Sequence, residues 1–195
     1  MEKFQSIENA IEKKFEETYG LMLRNGVNEF TILKEDVPKV DFFRWLVEKK
    51  EVLLHGSNNL EITELEPRQA NCASKEFGNL SAVYAESDSV LPIFYAIKDR
   101  EKFRGTAKSG FYESEGDTKS APQYEFAISK GLLKDEPWSN GAVYIVPKHL
   151  FTQGHNNEGE LIDEWACMTT VEPIGKIEVS TKDFPYLNDI KELGN

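Results

Sequence analysis

The chain has few of the residues that build metal and disulfide sites. It holds two cysteines, Cys72 and Cys167, and three histidines, His55, His149 and His155. No CxxC pair and no HExxH stretch occurs, which argues against a disulfide scaffold and against a zinc enzyme. Neither is needed for stability, because a domain of 195 residues buries roughly 70% of its unfolded surface on folding. Basic charge is also scarce. Lys and Arg number 23 against 34 Asp and Glu, a net charge of −11, and that field repels the phosphates of DNA and RNA. No run approaches the roughly 18 apolar residues of a membrane span. The first residues, Met1 to Gln5, lack the apolar stretch of a signal peptide. These absences predict a cytoplasmic protein with no membrane partner and no non-specific nucleic-acid binding. GxxxxGK[ST], GxGxxG and GxSxG are missing too, so a P-loop, a Rossmann site and a hydrolase nucleophile elbow are not expected.

What is present fits one well-cored domain: 39% hydrophobic and 11% aromatic residues. Phe4, Ile7, Ile11 and Phe15 recur at steps of three and four and predict a helix over 3–19, ended by Gly20 or Asn25-Gly26. Phe30 to Leu33 reads as a short strand. Pro38 opens a second helix with Phe42, Phe43, Leu46 and Val47 on its apolar side. Val52-Leu53-Leu54 reads as a buried strand that Gly56 and Asn58-Asn59 end, and Ala82 to Ala85 as another. Ser87 or Asp88 caps a helix through Leu91, Phe94, Tyr95 and Ile97. Residues 66–80 and 105–122 read as loops, and 154–159 as a turn. Strands are expected over 124–128, 142–146, 165–170 and 174–179. Helices first and strands after predict an α+β domain. Residues 1–37 are expected to form a helical extension packed on a core of 38–195.

Three short motifs carry candidate chemistry. In His55-Gly56-Ser57 an imidazole stands beside open backbone, and Gly admits close approach of a ligand. Ser57 and the Gly56 backbone together offer the donor and acceptor that a carboxamide needs. A core histidine before a tight turn would look the same. Tyr84 is either an interior tyrosine or a stacking platform for a flat ring. Glu164 opens a strand, where a buried carboxylate costs free energy unless it is paired or used. Cys167 reads as a small buried thiol. His155 with Glu158, Glu160 and Asp163 reads as a solvated turn, and no metal site is expected.

Leu-Leu-His-Gly-Ser at 53–57, Val-Tyr-Ala at 83–85 and Glu164-Trp165 occur in that order on separate strands. This order resembles the His-Tyr-Glu signature of the ADP-ribosyltransferase superfamily, of diphtheria-toxin and poly(ADP-ribose) polymerase type. Leu65-Glu66-Pro67-Arg68 and Asp183-Phe184-Pro185 extend the likeness to small bacterial members, over roughly residues 40 to 187. The resemblance implies a split β-sandwich with N-terminal helices. It also implies NAD as substrate, with ADP-ribose passed to an acceptor that the sequence does not name: protein, nucleic acid or small molecule. By that likeness His55 bonds the adenosine ribose, and Gly56 and Ser57 hold the nicotinamide amide. Tyr84 stacks on the nicotinamide, and Glu164 is the catalytic carboxylate at the neighbouring ribose. A carboxylate there stabilises positive charge on the sugar as the bond to nicotinamide breaks. Glu125 is the rival carboxylate. Arg68, Lys75, Arg100 and Arg104 are candidate counter-charges for the diphosphate, with Arg68 alone inside a motif. Glu86, beside Val-Tyr-Ala, is a charge the generic motif does not require. Acceptor choice is assigned to the loop of 105–122. The alternatives are an NAD glycohydrolase and a non-catalytic nucleotide- or peptide-binding domain.

Overall fold

The structure is a computed structural model that describes residues 2–34, 37–70, 77–112, 123–156 and 159–194. Cys72, Lys75, Glu158 and positions 113–122 of the expected loop lie outside the described residues.

Helix α1 spans Glu2–Asn25, longer than the apolar spacing predicts. Phe15 and Met22 line its buried side, and Gly26, at φ +59°, takes the left-handed turn that ends it. Helix α2, Lys39–Lys49, follows Pro38 and buries Phe42, Phe43, Trp45 and Leu46. Phe15 sits 5.5 Å from Phe42 and 5.6 Å from Trp45, ring centre to ring centre. Phe15 and Tyr19 of α1 therefore pack as one layer with Phe42 and Trp45 of α2.

The strands are β1 (Val52–Ser57), β2 (Arg68–Gln69), β3 (Ser81–Glu86), β4 (Ala107–Tyr112) and β5 (Gln123–Ile128). Then come β6 (Gly141–Pro147), β7 (Thr152–His155), β8 (Leu161–Cys167), β9 (Gly175–Val179) and β10 (Lys191–Glu192). A short helix, α3 (Leu91–Ala96), lies between β3 and β4. The larger sheet runs β7-β8-β3-β1-β6-β9, with β2 added to β3, and its pairs are antiparallel. The smaller sheet runs β10-β5-β4. The fold is α+β.

Strand β1 is central and buried on both faces. Val52 and Leu54 join Val143, Ile145, Ile177 and Val179 beneath the helices and the small sheet. Leu53 joins Val83, Ala85, Tyr144 and Val146 on the other face, covered by Leu65, Phe151 and Val171. Burying each such side chain contributes about 1.5–3 kcal/mol. Phe94 of α3, Phe126 of β5 and Phe184 meet at 4.8–5.6 Å and join the two sheets. The Asp-Phe-Pro motif therefore has a packing role: Phe184 fills the core, and Asp183 accepts from Ser180 and Lys39.

Two readings of the sequence are corrected here. Residues 107–112 form strand β4 although their composition is that of a loop, because β5 supplies a full antiparallel partner, with Ser109 opposite Phe126. Phe30 makes only an isolated bridge to Lys176, and Ile32 is 81% exposed, so 30–33 is not a strand. Among the described residues no helix is long and apolar enough to cross a membrane.

Candidate functional site

The sheet order brings the three motif-bearing strands together. β8, β3 and β1 are consecutive neighbours. Leu54 of β1 stands opposite Glu86 of β3, and Glu86 opposite Glu164 of β8. Strand β3 thus sits between the His-Gly-Ser strand and the glutamate strand.

His55, Ser57, Arg68, Tyr84 and Arg100 line one small cavity of about 200 Å³. The Nδ1 of His55 lies 2.7 Å from the carbonyl oxygen of Tyr84. That carbonyl can only accept, so Nδ1 carries the hydrogen and Nε2 keeps its lone pair. Burial pushes the His55 pKa below its ordinary 6.5; the Tyr84 carbonyl opposes this, and the Arg100 and Arg68 guanidinium groups add to it. Ser57 is buried, and its Oγ accepts from the Asn59 N–H at 3.2 Å and from Arg100 at 3.3 Å. Arg68 is exposed at the rim on β2.

Gly56 is required for a different close approach from the one the sequence suggested. A Cβ there would fall 1.9 Å from the carbonyl oxygen of Pro92. Gly141 meets Ala96 in the same way, at 2.0 Å. The two glycines let the backbone of α3 rest directly on β1 and β6.

Tyr84 is tied down by its hydroxyl, which donates to the Phe77 carbonyl at 2.7 Å and accepts from the Leu80 N–H at 2.8 Å. Its ring meets Phe77 edge-on at 6.3 Å.

Glu164 lies in a second, larger cavity of about 560 Å³, with Glu86, Leu91, Tyr95, Ser109 and Asp163 among its walls. The structure therefore does not bring Glu164 into the cavity of His55 and Tyr84; the two cavities meet β3 two residues apart. The larger one lies between β3 and β8 on one side and α3 and β4 on the other. The strands are pinned on either side of the Glu86–Glu164 pair: Ser87 donates to the Asp163 carboxylate at 2.7 Å, and the indole of Trp165, which stands opposite Ala85, donates to Ser87 at 3.3 Å. Asp88 holds α3 in place by accepting from the N–H groups of Val90 and Leu91, and it accepts from the Tyr124 hydroxyl of the small sheet.

Tyr95 is the site residue that the sequence reading did not single out. It follows Leu91 by four residues in α3, so both project to the same side of the helix, and both line the Glu164 cavity. Its hydroxyl lies 2.8 Å from Ser109 Oγ of β4. The Lys98 ammonium lies 4.6 Å from the Tyr95 ring centre, among Phe94 and Phe103. Burial there lowers the Lys98 pKa to about 8. Glu125, the rival carboxylate, is exposed on β5 and pairs with Lys191 at 3.3 Å, away from both cavities.

No protein-family model, curated protein or solved structure matches the chain.

Proposed function

We propose that the protein is an ADP-ribosyltransferase of split β-sandwich type, which binds NAD and cleaves its nicotinamide–ribose bond. The observation that carries this reading is the alignment of Leu54, Glu86 and Glu164 across three neighbouring strands. It puts the glutamate motif one strand from the tyrosine motif and two from the histidine motif, although the three are far apart in the chain.

The charges of the two cavities complement the two ends of the ligand. The oxidised nicotinamide ring is a cation and the diphosphate an anion. Glu86, Asp163 and Glu164 line the larger cavity and favour the ring; Arg68 and Arg100 at the smaller one favour the diphosphate. Two residues of strand span about 6.6–6.8 Å, a step that an extended dinucleotide bridges. In this reading Tyr95 takes the stacking role that the motif assigned to Tyr84. The His55 Nε2 accepts from a ribose hydroxyl. Glu164 stabilises the positive charge that builds on the ribose as the bond to nicotinamide breaks. Nicotinamide leaves as a neutral molecule, so no acid is required. Water as acceptor gives an NAD glycohydrolase at the same site.

Thermal melting with and without millimolar NAD tests the binding step. At about 100 times its dissociation constant a ligand adds roughly 2.7 kcal/mol, a rise of roughly 5–10 °C for a domain this size. The rise is expected in the wild type and is expected to shrink in Arg68→Met/Arg100→Met. No rise at saturating NAD contradicts the reading.

A further inference from the structure

Glu86 stands directly opposite Glu164 in the antiparallel register, and both line the same cavity. Directly opposed residues have Cβ atoms about 4.5–5.5 Å apart, and like charges at such positions weaken strand pairing. Ser87 and Asp163 are joined by a hydrogen bond just beyond the Glu86–Glu164 pair, and the Trp165 indole donates to Ser87 from the other side of it.

Resting on the NAD reading above, we infer that Glu86 is a second catalytic carboxylate, the general base for a hydroxyl acceptor. Stabilising the ribose cation takes one carboxylate, Glu164. The attacking group still has a proton to lose. A hydroxyl oxygen, of water or of an alcohol acceptor, forms a bond to the ribose C1′. Its proton passes to the Glu86 carboxylate. The C1′–N bond breaks and its electron pair goes to the nicotinamide nitrogen, which leaves neutral. A carboxylate can take that proton because the hydroxyl becomes acidic as it bonds to the sugar. The acceptor class is therefore a neutral hydroxyl, as in glycoside hydrolysis, where two carboxylates flank the reacting carbon.

The test follows nicotinamide release from NAD by wild type, Glu86→Gln, Glu86→Ala and Glu164→Gln, with and without azide, a nucleophile that carries no proton to remove. Melting shifts with NAD are read in the same samples. Glu86→Gln and Glu86→Ala still show an NAD shift, smaller than that of the wild type because one of the carboxylates facing the ring is gone, and lose about 10²–10⁴-fold in release measured at saturating NAD. Azide restores release by Glu86→Ala, with ADP-ribosyl azide as product, and does not restore Glu164→Gln. Release by Glu86→Gln at the wild-type rate overturns the role of Glu86 while leaving the NAD reading intact. Failure of azide to restore Glu86→Ala that still binds NAD overturns it equally. A wild type that neither binds nor cleaves NAD removes the NAD reading and this role with it.

Discussion

His55 Nδ1 lies 2.7 Å from the carbonyl oxygen of Tyr84, so the side chain of one motif is anchored to the backbone of another. The bond spans β1 and β3 at the wall of the small cavity and fixes which ring nitrogen carries the hydrogen.

This histidine makes stability fall in mild acid. Its folded-state pKa is depressed, chiefly by burial, below the 6.5 of an exposed histidine. Above pH 6.5 both folded and unfolded chains hold it neutral, and its contribution is fully present. As the pH falls below that value, the unfolded chain takes up a proton that the folded chain refuses, and stability drops. Urea midpoints between about pH 7.5 and 5.5 are expected to decline less in His55→Gln than in the wild type. Parallel curves for the two proteins count against a buried neutral imidazole.

Gly56→Ala places a methyl group 1.9 Å from the Pro92 carbonyl oxygen, a backbone atom that cannot swing aside. Overpacking of this kind costs about 1–3 kcal/mol or more. Gly141→Ala meets Ala96 and is expected to behave alike. Urea unfolding of both variants measures the cost. A change below about 0.5 kcal/mol in either would show that α3 is not seated on these two strands.

Much of this arrangement could be read in the sequence. Val52-Leu53-Leu54 gave away a strand buried on both faces, and Asp88 was one of two candidates ahead of α3, where it accepts two N–H groups. Strand β4 was hidden because Ser109 and Gly110 have poor strand character of their own; it exists through pairing with β5. The different placement of Tyr84 and Tyr95 was hidden for a related reason. Tyr84 is tied to Phe77 and Leu80, and Tyr95 reaches the Glu164 cavity only because Gly56 and Gly141 let α3 sit close to the sheet. Pairing of β3 with β8 is a long-range contact that no local pattern announces.

Asp88 joins α3 to the small sheet through three accepted hydrogen bonds. Hydrogen bonds to a charged group contribute about 1.5–3 kcal/mol. Asp88→Ala is expected to lose about 3 kcal/mol, and Tyr124→Phe less, because it removes one of the three. A double-mutant cycle between them is expected to show coupling, and additive losses would deny the link.

Lys98 titrates early. Its amine, enclosed by Phe94, Tyr95 and Phe103, has a pKa lowered by burial from 10.5 to about 8. From about 8 to 10.5 the unfolded chain binds more protons than the folded one, so this residue makes stability rise with pH in that window. Reductive ¹³C-methylation followed by NMR titration is expected to show one lysine near 8, absent in Lys98→Met. If the signal lost in that variant titrates near 10.5, the amine is solvated.

The most direct test of the account is nicotinamide release from NAD by the wild type, Glu164→Gln and Glu125→Gln. Removal of a group that stabilises a transition-state charge costs about 10²–10³-fold. The account predicts that loss for Glu164→Gln and a wild-type rate for Glu125→Gln, whose side chain pairs with Lys191 outside both cavities. Release that survives Glu164→Gln unchanged would contradict it.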